Sequence, residues 1–103
     1  MSGGVGNQIN AGAGLDTINV SGGTNTVITG SAGLDTVNIT GGTNNQITSG
    51  EGGMNITISG AVGSTNNITT GDSNLDTVNV SVGTNIIYGG VGAVAIDVTG
   101  GAT

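Results

Sequence analysis

The ionic chemistry of this 103-residue chain rests on six carboxylates: Asp16, Asp35, Glu51, Asp72, Asp76 and Asp97. Lysine, arginine, histidine and cysteine are all absent, and the net charge is −6. No base or thiol is at hand to activate a nucleophile, and the serines have no histidine or lysine to pair with. Carboxylate pairs can cleave glycosides, but such sites also hold their sugar with aromatic and basic groups. Here Tyr88 is the single aromatic. The composition argues against an enzyme. It also argues against nucleic acid and anionic membranes as partners, since both require basic side chains. Without cysteine there are no disulfides and no thiolate–zinc sites. The charged ligand that such a chain can attract is a divalent cation.

The aspartates are regularly placed. Asp16 lies in GAGLDTINVSG (12–22), Asp35 in GSAGLDTVNITG (30–41), and Asp76 in NLDTVNVSV (74–82), with Asp72 just upstream. Looser copies, GMNITISG (53–60) and AVAIDVTG (93–100), carry Met54 and Val94 at the aspartate position. A second phrase alternates with the first: GNQI from 6, GTNTVI from 23, GTNNQI from 42, GSTNNI from 63 and GTNII from 83. Internal repetition at about 20 residues is the mark of a solenoid. One domain, 1–103, with five repeats at approximately 4–22, 23–41, 42–60, 61–82 and 83–103, covers the chain.

The elements that position the carboxylates follow from period-two alternation, which specifies strands. In the LDTVNV phrase the apolar pairs are Ile18 and Val20, Val37 and Ile39, Ile56 and Ile58, Val78 and Val80, and Ile96 and Val98. The other phrase contributes Ile9, Ile28, Ile47, Ile68 and Ile87. Stacked coil on coil, these residues form inward ladders. Asn7, Thr26, Asn45, Asn66 and Asn85 make a row one pleat earlier, a mostly Asn ladder whose amides can bond between coils. With 23 glycines and no proline, the intervening corners suit turns needing positive φ or close backbone approach. A disordered low-complexity tract would not keep its apolar residues in register along the whole chain. The expected fold is therefore all-β: a two-sided parallel β-solenoid, β-roll-like, with five coils of about 20 residues. A longer step between Ile47 and Ile68 places small corner insertions near 51–53 and 61–64.

The glycine-rich corners before Asp16 and Asp35 resemble the nonapeptide G-G-x-G-x-D-x-U-x of the RTX, or hemolysin-type calcium-binding, repeats. The resemblance implies a parallel β-roll in which Asp side chains and turn carbonyls of neighbouring coils bind Ca²⁺. It also implies type I-like secretion to the cell exterior, and the chain as a calcium-binding segment of a larger secreted protein. By position, the implied ligands are Asp16, Asp35 and Asp76, with Asp72 as a separate local candidate. Met54 and Val94 depart from the pattern, so only Asp16 and Asp35 form an adjacent-coil pair. The alternative is that these carboxylates hydrogen-bond the backbone of glycine corners.

The outward positions are Thr17, Thr36, Asn55, Thr77 and Ala95 in one row, with Asn19, Asn38, Thr57 and Asn79 in the next. Such Thr/Asn rows resemble the ice-binding faces of antifreeze β-solenoids, so an ice surface is one candidate partner. The Asn-x-Ser/Thr sequons at Asn19, Asn38, Asn55, Asn67 and Asn79 are read as compositional unless the source glycosylates, since several arise by chance in a chain this rich in Asn, Thr and Ser. The N-terminus has neither a basic nor an apolar signal region. An extracellular or cell-surface location would thus be reached without a cleavable N-terminal signal.

The remaining expectation concerns the ends. A solenoid finishes in open strand edges that natural proteins block with helices, polar caps, Lys or Pro. No such blocking element is evident here. The terminal GGAT is in phase with the Gly-Gly corners that precede each GTN phrase. The chain is thus expected to stack head-to-tail on itself into a filament, its partner another copy, with Ca²⁺ bridging outward carboxylates.

Overall fold

The computed structural model describes residues 1–24, 27–30, 32–60, 63–73 and 75–100. The described chain is all-β, with ten strands and no helix. Five strands build one sheet: β1 (Gln8–Asn10), β3 (Val27–Thr29), β5 (Asn45–Thr48), β7 (Thr65–Thr69) and β9 (Thr84–Tyr88). The other sheet contains β2 (Thr17–Val20), β4 (Asp35–Ile39), β6 (Met54–Ile58), β8 (Asp76–Val80) and β10 (Val94–Val98). All neighbouring strands are parallel, and odd and even strands never mix. The chain is a two-sided β-solenoid of about four turns, with five rungs on each face.

The register superposes like on like. Ile9, Ile28, Ile47, Ile68 and Ile87 follow one another up the odd sheet. Ile18, Val37, Ile56, Val78 and Ile96 do so on the even sheet, as do Val20, Ile39, Ile58, Val80 and Val98. Strands of period two bury alternate side chains, and the central members of these columns form one continuous core. The two ends differ. Ile9 and Ile87 are only partly buried, while Ile96 and Val98 remain 48% and 36% exposed. They lie in the expected columns, but among the described residues no strand pairs with the outer edge of β10, so their inward placement does not bury them.

The insertions also need correcting. From Ile47 to Ile56 the chain takes the same nine-residue step as from Ile28 to Val37, so no residue is added near 51–53. The extra residues fall between β6 and β7, and one more falls between β7 and β8. Residues 61 and 62 of the first of these corners, like Thr26 of the Asn row and the terminal 101–103, lie outside the described residues.

Stacked corners explain the glycines. Gly33 has φ +110°, and a Cβ placed there would fall 1.7 Å from the Gly14 carbonyl oxygen one rung below. Backbone meets backbone at this point, and no side-chain adjustment can relieve it. Gly33→Ala is expected to destabilise the fold by well over about 1 kcal/mol, read as a lower midpoint in chemical denaturation. Gly12→Ala, at a corner position with open space around it, serves as the neutral comparison.

Candidate functional site

Asp35 and Asp76 do not lie on the outside, whereas Glu51, Asp72 and Asp97 do. Alternation continues one pleat before the apolar pairs, so β4 reads inward at Asp35, Val37 and Ile39, and β8 at Asp76, Val78 and Val80. Asp35 and Asp76 are buried, and Asp16 is half-buried. This corrects the expectation of outward carboxylates. The register makes a third inward column of Asp16, Asp35, Met54, Asp76 and Val94. The sequence signal for it was the unbroken period of two, obscured because the column mixes acids with Met and Val. Across the interior stand Ala11, Gly30, Ser49 and Thr70, small residues that leave room for the acids.

Each buried aspartate clasps the rung before it. The Asp16 N–H donates to Asp35 Oδ1 at 3.1 Å, and the Met54 N–H donates to Asp76 Oδ1 at 2.8 Å. Ser49 Oγ adds a second donor to Asp76 Oδ1 at 2.6 Å. In all three aspartates Oδ2 is buried without a hydrogen-bond partner. Asp72 is exposed and apart from this column, accepting the Val91 N–H at 3.2 Å. Backbone anchoring, the alternative to metal binding, is thus seen at Asp35, Asp72 and Asp76, but each of these bonds reaches a neighbouring rung rather than the aspartate's own glycine corner.

Ca²⁺ takes about six to eight oxygen ligands. Asp16 and Asp35 supply one adjacent pair of carboxylates, and Asp35 Oδ1 is already engaged by a backbone N–H. Among the described residues no group of three or more acids is placed to hold a metal.

The Asn ladder forms in part. Asn45 Nδ2 donates to Asn66 Oδ1 at 3.0 Å, and Asn66 Nδ2 donates to Asn85 Oδ1 at 2.8 Å, all three residues being buried. Asn85 turns its own Nδ2 to the carbonyls of Val82 and Gly83. Asn7 lies just before β1, half-buried, with a buried Nδ2 that has no partner. Ser64 Oγ also donates to Asn66 Oδ1, a contact the sequence pattern did not suggest.

The outward rows align as expected. Thr17, Thr36, Asn55, Thr77 and Ala95 superpose, and beside them run Asn19, Asn38, Thr57, Asn79 and Asp97. Asn38 Nδ2 donates down to Asn19 Oδ1 at 3.0 Å. On the odd sheet the register aligns Thr48, Thr69 and Tyr88 in a further row.

The two ends of the stack are not alike. At the upper end β10 has an open edge. At the lower end, Ser21 N–H donates to the Met1 carbonyl at 2.8 Å, just as Thr40 N–H donates to the Val20 carbonyl at 2.8 Å. Met1 therefore takes the place one rung below Val20, and its amino group donates to the Asn19 carbonyl. The lower edge is not bare, as expected, but covered over its last two residues. Comparison with known proteins adds no further assignment: no family model matches the chain, and no curated protein or solved structure matches it either. The RTX resemblance rests on the nonapeptide phrases alone.

The clasp at Asp76 gives a direct test. Asp76→Ala strands the Met54 N–H and the Ser49 hydroxyl in a dry interior and is expected to cost about 1–3 kcal/mol. Asp76→Asn keeps an acceptor in place and should lose distinctly less, as measured by urea denaturation.

Proposed function

We propose that this protein is a structural subunit that stacks head-to-tail through its solenoid ends into a filament. The observation that carries this reading is the open edge of β10, where Ile96 and Val98 stay exposed in columns that elsewhere are buried. A second copy set on that edge continues every column: Ile18 over Ile96, Val20 over Val98 and Ile9 over Ile87. Each strand edge is a row of unpaired backbone groups, and a parallel neighbour satisfies them. The contact joins different surfaces on the two copies, so it propagates rather than closing.

The lower edge sets a condition. Val98 of one copy and Met1 of the next would claim the same place beneath Val20, so Met1 and Ser2 leave the β2 edge when a neighbour docks. Deleting Met1 and Ser2 is therefore expected to shorten the lag of assembly and lower the protein concentration at which fibres appear. Negative-stain electron microscopy of the intact chain should show unbranched fibres one solenoid wide. Monodisperse monomers at high concentration would rule the reading out.

Calcium is not required by this scheme. Of the carboxylates that the RTX resemblance nominates, Asp35 and Asp76 lie buried and already accept backbone N–H groups, Asp16 is half-buried and Asp72 is exposed. Chelation with EDTA is expected to leave the β-type circular dichroism unchanged, whereas its collapse would favour a calcium-dependent roll. Ice binding is the weaker reading, since its best row mixes Thr17, Thr36, Asn55, Thr77 and Ala95. An extracellular setting follows from the likeness to secreted repeats. Among the described residues no helix is long and apolar enough to cross a membrane.

A further inference from the structure

We infer that the contact between copies is fixed in polarity and register by two polar clasps: the Val94 N–H on the Asp16 carboxylate inside, and the Asn19 amide on the Asp97 carboxylate outside. This inference rests on the stacking reading and names the residues that make it directional.

The inner clasp has a precedent within the molecule. Met54, which carries no acid, donates its N–H upward to the carboxylate of Asp76 on the following rung. Val94 holds the same column position on the last rung, again with no acid. In a parallel strand, N–H groups alternate between the two neighbours. Thr36 N–H bonds down to Asp16 and Asp35 N–H bonds up to Gly53, so this column's N–H groups point upward. Val94 N–H therefore faces the open edge. What it lacks is an aspartate above it, and the rung that would come next begins its column with Asp16. Asp16 stands on the lowest strand of its sheet, with no strand beneath it to supply the N–H that Asp35 and Asp76 accept through Oδ1. Donor and acceptor are left over at opposite ends of the same column.

The outer clasp follows the direction of the amide row. Asn38 on the second rung donates its Nδ2 down to Asn19 on the first. A copy stacked above thus brings Asn19 over the last member of the row, Asp97, which is exposed. An ionised carboxylate accepts and cannot donate. It suits the position where only an acceptor is needed, and it makes the hydrogen bond charge-assisted. A tail-to-tail contact centred on this row would oppose two Asp97 carboxylates at a distance where like charges repel, and a head-to-head one would bring neither Val94 nor Asp97 to the junction. Only the head-to-tail arrangement uses both leftovers.

The register is tested by the double variant Thr17→Cys with Ala95→Cys, which leaves both clasps untouched. Within one chain these positions are separated by four rung steps, about 19 Å, too far for a disulfide. Across the proposed junction they are adjacent rung neighbours, about 4.8 Å apart at the backbone, within disulfide range. Oxidation of assembled protein should give a ladder of covalent oligomers on a non-reducing gel. Each single variant should assemble but run as a monomer on the same gel. Fibres without that ladder, or dimers from a single variant, would overturn the inference while leaving assembly itself standing. Failure of the parent chain to form fibres would instead refute the stacking reading. The clasps are tested by Asp16→Ala and Asp97→Ala, each expected to raise the critical concentration about tenfold or more. Asp16→Asn and Asp97→Asn retain an acceptor and should assemble much closer to the parent. Alanine variants that fold, by circular dichroism, and assemble like the parent would show that the clasps do not hold the junction.

Discussion

Everything in this molecule depends on the parallel stacking of rungs at one strand spacing, about 4.8 Å. At that separation each side chain meets mainly the residue in the same position one rung above or below. Isoleucine on isoleucine buries apolar area efficiently, and the fully buried positions from Ile28 to Ile68 show it. Asparagine on asparagine works because the amide is both donor and acceptor, so Asn45, Asn66 and Asn85 form a chain of hydrogen bonds. Aspartate on aspartate has no such solution. The fold handles it by turning the carboxylate toward a backbone N–H instead.

The aspartate column keeps one adjacent pair, Asp16 and Asp35, joined by a backbone N–H on a carboxylate, and elsewhere separates its acids. Two ionised carboxylates at one strand spacing repel, and a dry interior strengthens the repulsion. Met54 separates Asp35 from Asp76, and Val94 closes the column above Asp76. The departures from a uniform repeat therefore have a structural use, since Met54 supplies the N–H that Asp76 accepts. The same spacing dictates the corners, where Gly33 sits against the Gly14 backbone with no space for a side chain.

The ends follow from the same rule. A ladder interaction requires a neighbour on both sides, and a terminal rung has only one. Ile96 and Val98 stay exposed for this reason, although their residue types and register match the buried members of their columns. Met1 partly substitutes for a missing rung at the other end, using the hydrogen bond that Val20 accepts one rung higher. A chain with no basic residues cannot block such an edge with lysine. Its means of covering the lower edge is its own first residues, held by a few hydrogen bonds.

The architecture was legible in the sequence because period-two alternation and a repeat near 20 residues leave few alternatives, and the columns of Ile, Val, Thr and Asn follow from repeat phase alone. The inward direction of Asp35 and Asp76 was implicit in the same alternation, but acids carry no apolar signal to mark a buried face. Tertiary structure alone decided how the corners absorb extra residues, that Met1 lies on the β2 edge, and which carboxylate oxygens are engaged. These depend on contacts between rungs some 19 residues apart, where backbone closeness and hydrogen-bond direction, rather than residue type, determine the outcome.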